Sequence, residues 1–401
     1  MSFESTALPR AAATPAPLVS ATGVARLPHN AGAARPASAP AAEAPVILAA
    51  ATALPPNPVD QRELAELLRG LWSAQYGEPR RWRSTFDQIQ RSVRIDRRYL
   101  ALPIGEYPAL DSFAKTNTAW ARVAPPLGAA AASSALDAAG LTARDVDHLF
   151  LVTGTGIATP SIDARIVNRL GMRADVRRTP IFGLGCAGGV AGVARAAELL
   201  RGLRDDVALV VSIELCSLTL QRDDATVANV IASALFGDGA AAVVVGGASR
   251  GGRGQDGLPR VVGTRAVFYP DSERMMGWDV VDGGLRIVLS PEIPALVRAH
   301  LGRDVDALLA AHGLERGAIR HWIAHTGGNR VLEAVGAALG LGPCALARSW
   351  RLLAATGNVS SASVLFVLRD LMGSGEARAG EWGVMLAMGP GFCAELALLR
   401  W

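Results

Sequence analysis

The chain has 401 residues, half of them apolar, and a formal net charge of +4 from 40 basic and 36 acidic side chains. Such a chain can bury one large core or two domains, while its weak, scattered positive charge does not make the clustered basic face that nucleic acid requires. No apolar run reaches the roughly 18 residues of a membrane span, and the opening "MSFESTALPR" lacks the basic and apolar regions of a secretory signal, so a cytoplasmic protein is expected.

Residues 1–44 are dominated by Ala, Pro, Ser and Thr and read as a disordered extension. From "APVILAAATALPP" onward, short apolar runs alternate with longer helical patterns. "DHLFLVTGTG" precedes "SIDARIVNRLG", and "RDDVALVVSIELCS" precedes "VANVIASALFG" and the strand-like "AAAVVVGG". This alternation predicts an α/β layered fold. Two stretches share one plan: "TPIFGLGCAGGVAGVARAAELLRG" and "SWRLLAATGNVSSASVLFVLRDLMGSG" each read as strand, glycine turn and small-residue helix. Each half then reaches an apolar, Gly-rich, hairpin-like segment, "FGDGAAAVVVGG" or "WGVMLAMGPGFCAELALLRW". A duplicated core follows, with halves at 45–250 and 251–401 joined through the exposed connection "GASRGGRGQDGLP" at 247–259.

Four cysteines, at 186, 216, 344 and 393, lie far apart without metal-ligand spacing, which predicts neither a disulfide framework nor a zinc site and fits a reducing compartment. Cys186 stands out because it sits among glycines at a strand-to-helix turn, where free N–H groups and the helix dipole favour a thiolate and the missing side chains would let a substrate approach. A free cysteine has a pKa of about 8.5, and a helix end moves it by about one unit at most, so full ionisation needs a histidine. His325, in "RHWIAHTGGNR", ends an apolar run before two glycines and is the best partner; His29, His148, His300, His312 and His321 read as surface or locally satisfied residues in the arm or in helical and polar contexts. Asn358, in "AATGNVSSASVLFVL", follows an expected strand and a glycine and is either a helix cap or a side-chain amide aimed into the same site. Cys, His and Asn in this order also occur in papain-like proteases, but Cys186 is followed by Ala-Gly-Gly and lacks their local signature.

The segments "GCAGGVAG", "ALFGDGAAAVVVG", "WIAHTGGNRVLEAV", "TGNVSSASVLFVL" and "MGPGF" together resemble the type III polyketide synthases, the chalcone-synthase-like members of the thiolase superfamily, over residues 45–401. The resemblance implies a thiolase fold, a duplicated five-layer αβαβα core, in a homodimer that uses coenzyme A thioesters as substrates, with no resident cofactor or metal. It implies that Cys186 takes the acyl group while His325 and Asn358 polarise the thioester carbonyl and hold the enolate of decarboxylated malonyl-CoA. Leu220 and Ile287 match the two gatekeeper positions, aromatic in plant members. Thr155 and Cys216 match positions lining an alkyl tunnel in bacterial alkylpyrone and alkylresorcinol synthases; Thr159 departs from the alanine found there. Gly389, Pro390 and Gly391 match the family's substrate-site loop, and "RSTFDQIQRSVRIDRRYLALP" resembles its CoA-binding helix, making Arg91, Arg94 and Arg97 candidates for the phosphates. The expected activity is condensation of malonyl-CoA onto a long-chain acyl-CoA starter, closing to an alkyl α-pyrone or resorcinol. Burial of each starter methylene would contribute about 0.8 kcal/mol. Alternatives are a malonyl-primed synthase making tetrahydroxynaphthalene or phloroglucinol, a ketoacyl synthase III, whose "HQAN" here reads "HTGGN", and a noncatalytic thiolase-fold partner.

Overall fold

The computed structural model describes residues 43–76, 80–251 and 257–401. Nearly all of the expected extension, with His29, and the middle of the expected connection at 247–259 lie outside the described residues.

The first half begins with β1 (Val46–Ala53), followed by a small outlying unit of β2 (Asn57–Asp60), α1 (Gln61–Tyr76), α2 (Arg80–Ser92) and β3 (Arg97–Leu100). Strands β2 and β3 pair antiparallel, and Trp72 and Phe86 fill the small core beneath them. Then come α3 (Phe113–Ala138), β4 (His148–Val152), α4 (Asp163–Leu170), β5 (Arg177–Ile181), α5 (Gly188–Leu200), β6 (Val207–Leu215), α6 (Val227–Leu235) and β7 (Asp238–Gly246). The second half comprises β8 (Arg260–Phe268), β9 (Met276–Val281), β10 (Gly284–Leu289), α7 (Ile293–Ala310), β11 (Ile319–Ala324), α8 (Asn329–Leu339), α9 (Ala347–Thr356), α10 (Ser363–Ser374), β12 (Trp382–Gly389) and β13 (Cys393–Arg400).

The wiring shows the duplication directly. In the first block β4 runs parallel to β6, β6 antiparallel to β7, and β7 antiparallel to β1. In the second, β11 runs parallel to β12, β12 antiparallel to β13, and β13 antiparallel to β8. Among the described strands of the nine-stranded sheet, only β5, the outer edge strand beside β4, has no counterpart. One residue pair, Val46 opposite Arg260, links the blocks.

Helices α5 and α10 lie between the two blocks and touch strands of both, whereas α3 covers the outer face of the first block and α7, backed by α8, that of the second. The result is the five-layer αβαβα order. The middle helices are apolar nearly all round, as elements buried on every side must be: Val190, Val193 and Leu200 of α5 and Val364, Leu365 and Leu368 of α10 are fully buried.

Three local expectations need correction. "SWRLLAA" forms helix α9 rather than a strand, because Trp350 and Leu353 are spaced for one helical face and Arg, Leu and Ala are strong helix formers. "FGDGAAAVVVGG" supplies only β7, whose partner β6 lies upstream across α6, so it is no hairpin. His148 and His321 lie on strands rather than in helices, yet their rings are satisfied, by Asp206 at 2.9 Å and Glu381 at 2.8 Å.

Candidate active site

The middle layer positions the reactive groups. Cys186 sits in a single 3-10 turn, Gly185–Ala187, that runs straight into α5; Asn358 lies just before the equivalent turn, Ser360–Ala362, that runs into α10. His325 follows β11 and is pinned by its N–H donating to the Leu386 carbonyl at 3.0 Å. Asn358 is fixed by its backbone across the halves: its N–H donates to the Leu235 carbonyl and its carbonyl accepts from Gly237 N–H, both at 2.9 Å. All three side chains line one cavity of about 540 Å³.

Burial sets the electrostatics. Cys186 is 5% exposed, and its thiol is pushed up to about 12, first by loss of solvent and further by the Glu214 carboxylate, against opposing hydrogen bonds from Ser360 and Asn358. The His325 ring is driven down to about 3 by burial, and neither of its nitrogens has a hydrogen-bond partner. Burial therefore favours the neutral thiol and the neutral imidazole in the cavity that both residues line. The ion pair expected from sequence has no supporting Cys186–His325 hydrogen bond; the thiol instead points to Ser360 Oγ at 3.8 Å. Asn358 Oδ1 accepts from Ser360 N–H at 2.8 Å and Ser363 Oγ at 3.4 Å, which assigns the amide NH₂ to the cavity side. Behind the turn, buried Glu214 accepts from Gly154 N–H at 3.0 Å, Thr155 Oγ1 at 2.9 Å and Ser361 Oγ at 2.5 Å.

The glycines do something other than clear a path for substrate. A Cβ on Gly189 would lie 2.1 Å from the Ser361 carbonyl oxygen, and one on Gly188 would lie 2.5 Å from Val152 Cγ1. They allow α5 to close on the Asn358 turn and on β4. The Gly389–Gly391 loop is likewise scaffold: a Cβ on Gly389 would meet Leu184 O at 2.5 Å and Ala187 N at 2.7 Å, and Pro390 packs against Gly185, so this loop braces the Cys186 turn from behind.

The pocket residues divide. Leu220, Ile287 and Cys216 line a second, apolar chamber of about 180 Å³. Phe236 lines both spaces and stands between them, which Leu220 does not. Sequence reading passed over Phe236, although an aromatic directly before "GDG" was the available signal. Thr155 faces Glu214 and donates to it rather than lining a tunnel; Thr159 is exposed in the loop after β4, away from both spaces. Arg91, in the last turn of α2, is exposed beside Gln88 and Ser92, which line the mouth of the larger cavity. Arg94 reaches Glu333 at 3.7 Å and covers Trp350; Arg97 pairs with Asp60 at 3.6 Å. Arg330, absent from the sequence-based set, lines that mouth as well.

A duplicated αβαβα core presenting Cys, His and Asn from the ends of its central elements defines a thiolase-fold acyltransferase. Family models for the chalcone and stilbene synthases match the chain, the N-terminal domain over residues 33–249 and the C-terminal domain over 260–401. Over 88% of its length, covering 93% of the relative, the chain is 51% identical to 1,3,6,8-tetrahydroxynaphthalene synthase of Streptomyces peucetius subsp. caesius. It is 36% identical to a putative chalcone synthase of Bacillus subtilis (strain 168), over 88% of this chain and 98% of that one. The crystal structure of 1,3,6,8-tetrahydroxynaphthalene synthase from Streptomyces coelicolor A3(2), a bacterial type III polyketide synthase, superposes with a TM-score of 0.82 at 30% identity, covering 89% of this chain and 99% of that one. The protein belongs to the chalcone and stilbene synthase family and is a type III polyketide synthase.

Proposed function

We propose that this synthase builds its product from malonyl-CoA alone and releases a compact polyhydroxylated aromatic of the tetrahydroxynaphthalene class. The observation that carries this reading is the 51% identity to a tetrahydroxynaphthalene synthase along nearly its whole length. Ten ring carbons correspond to five malonyl units that each lose carbon dioxide. The chamber of about 180 Å³ limits how much chain can lie beyond Phe236.

In this mechanism Cys186 attacks the thioester as its proton passes to His325, which the neutral resting pair permits; the acyl group moves to sulfur and CoA leaves as the thiol. A further malonyl-CoA then loses carbon dioxide, and its enolate oxygen is held by His325 and the Asn358 amide. The enolate carbon attacks the Cys186 thioester, returning the sulfur and lengthening the chain on CoA. Phosphates of CoA are held at the mouth by Arg91 and Arg330. The thioesters are substrates and the reaction requires no resident cofactor or metal. The working unit is a homodimer, and the free thiols of Cys186, Cys216, Cys344 and Cys393 fit the cytoplasm.

A second reading, condensation onto a long-chain acyl-CoA to give an alkylpyrone or alkylresorcinol, is favoured by the leucine lining of the chamber, Leu64, Leu67, Leu68 and Leu71. Purified enzyme given labelled malonyl-CoA alone, then with acyl-CoA starters of graded length, decides by mass spectrometry: a ten-carbon tetrol without added starter is expected, and products only with a long starter replace the first reading by the second.

A further inference from the structure

The chamber beyond Phe236 is lined mostly by apolar side chains and by two arginines, of which Arg222 is half-buried and donates to the Pro108 carbonyl at 2.9 Å while the other is fully enclosed. Arg98, at the start of the chain's Arg-Tyr-Leu run in β3, lines it and is 1% exposed. Its Nη1 is committed, donating to the carbonyls of Ser233 at 2.5 Å and Phe236 at 2.8 Å. Its Nε and Nη2 are buried with no partner. These two nitrogens form the side-on edge of the guanidinium, the edge that grips both oxygens of a carboxylate.

Among the described residues no carboxylate bonds that edge. Asp238 is near enough to influence Arg98, but its hydrogen bonds go elsewhere: Oδ1 accepts from Ser217 N–H at 2.8 Å, and Oδ2 accepts from Ala101 N–H at 2.6 Å and from Ser217 Oγ. Tyr107 hydroxyl is paired with Ser217 Oγ. Burial pulls the guanidinium down to about 10, which leaves it charged at neutral pH. A buried charge with a vacant bidentate edge is costly unless something anionic completes it.

We infer that the Nε/Nη2 edge of Arg98 receives a terminal carboxylate on the distal end of the Cys186-bound chain, and so selects acid-ended over alkyl-ended chains. This rests on, and deepens, the malonyl-primed reading: a chain begun by malonyl-CoA can carry such a carboxylate past Phe236, whereas a fatty starter presents a methyl group. Arg98 is then a specificity-determining residue and takes no part in bond making.

The test compares starters of equal carbon number, adipoyl-CoA and hexanoyl-CoA, each with malonyl-CoA, by the kcat/KM for extended product. The largely apolar lining disfavours the charged starter, and because Arg222 also lines the chamber the Arg98 variants carry the comparison. Wild type is expected to prefer adipoyl by at least about tenfold, in line with hydrogen bonds to a charged group, and Arg98→Met to lose that preference. Arg98→Lys, which keeps the charge without the fork, is expected to fall between them. Equal use of both starters by wild type overturns the inference without any variant, and so does a folded Arg98→Met that keeps the wild-type ratio. The two readings fail separately. No product from malonyl-CoA alone, with the adipoyl preference intact, removes the malonyl-primed reading and leaves the carboxylate site; product from malonyl-CoA alone with a ratio near one does the reverse.

Discussion

At the scale of single residues, the site is built to keep charge out until substrate arrives. Both Cys186 and His325 are pushed toward their neutral forms by burial, and that predicts how the free enzyme reacts. Iodoacetamide labelling of Cys186 should rise with pH without a plateau below pH 9; a rate independent of pH between 6 and 8 would instead reveal a standing thiolate–imidazolium pair. The same burial has a stability consequence. His325 titrates near 3 in the folded protein and near 6.5 in the unfolded chain, so the unfolded state binds the extra proton as pH falls. Its contribution is fully present above pH 6.5 and is lost on the way down to 3. At pH 4.5 the loss is on the order of 3 kcal/mol. Urea unfolding of wild type and His325→Gln at pH 7 and 4.5 should therefore show a smaller acid penalty in the variant; equal penalties would remove His325 as the acid-sensitive group. Cys186→Ala should abolish product formation while the fold melts as in wild type, and full turnover by it would end its assignment as nucleophile.

At the scale of elements, what the sequence made legible was the chemistry at the ends of helices, and what it hid was contact. The strand–turn–helix around Cys186 could be read because β-branched and apolar residues, glycines and a small-residue helix follow one another locally. The stretch before Asn358 was misread because a short apolar run of Leu and Ala has no period that separates strand from helix. The roles of the glycines and of Gly389, Pro390 and Gly391 depend on residues more than a hundred positions away, such as Ser361 against Gly189 and Ala187 against Gly389. Arg98 was passed over for the same reason: only the folded chamber puts it on its wall. The glycine packing yields an element-level prediction. Gly189→Ala faces a rigid backbone carbonyl at 2.1 Å, whereas Gly188→Ala faces the methyl of Val152, a side chain that can shift. Gly189→Ala should cost about 1–3 kcal/mol as overpacking and displace the Asn358 turn, and Gly188→Ala should cost less. Thermal melts and turnover of the two variants check the order; a Gly189→Ala protein with wild-type melting and activity would show that α5 and the Asn358 turn are not held by this contact.

At the scale of the whole molecule, the asymmetry between the two blocks points to assembly. The second block has no counterpart of β5, and β5 leaves its outer edge open: Arg177, Arg178, Thr179 and Pro180 are all exposed. Beside it, Phe182 is 56% exposed and Ile157, in the loop after β4, 42%. An open edge flanked by large apolar side chains is a liability in a lone subunit. A two-fold axis that sets one β5 edge against its copy buries both at once, because an isologous contact uses the same patch twice. The resulting face also lies one strand from the β4 loop that carries Gly154 and Thr155, the partners of Glu214, so closing it would steady the support behind Cys186. Analytical ultracentrifugation of the wild type should thus give twice the 41.7 kDa chain mass. Phe182→Arg should shift the equilibrium to monomer, with turnover falling in step with the dimer fraction across a dilution series. A wild-type monomer that is fully active at nanomolar concentration would show that the β5 edge serves no such assembly.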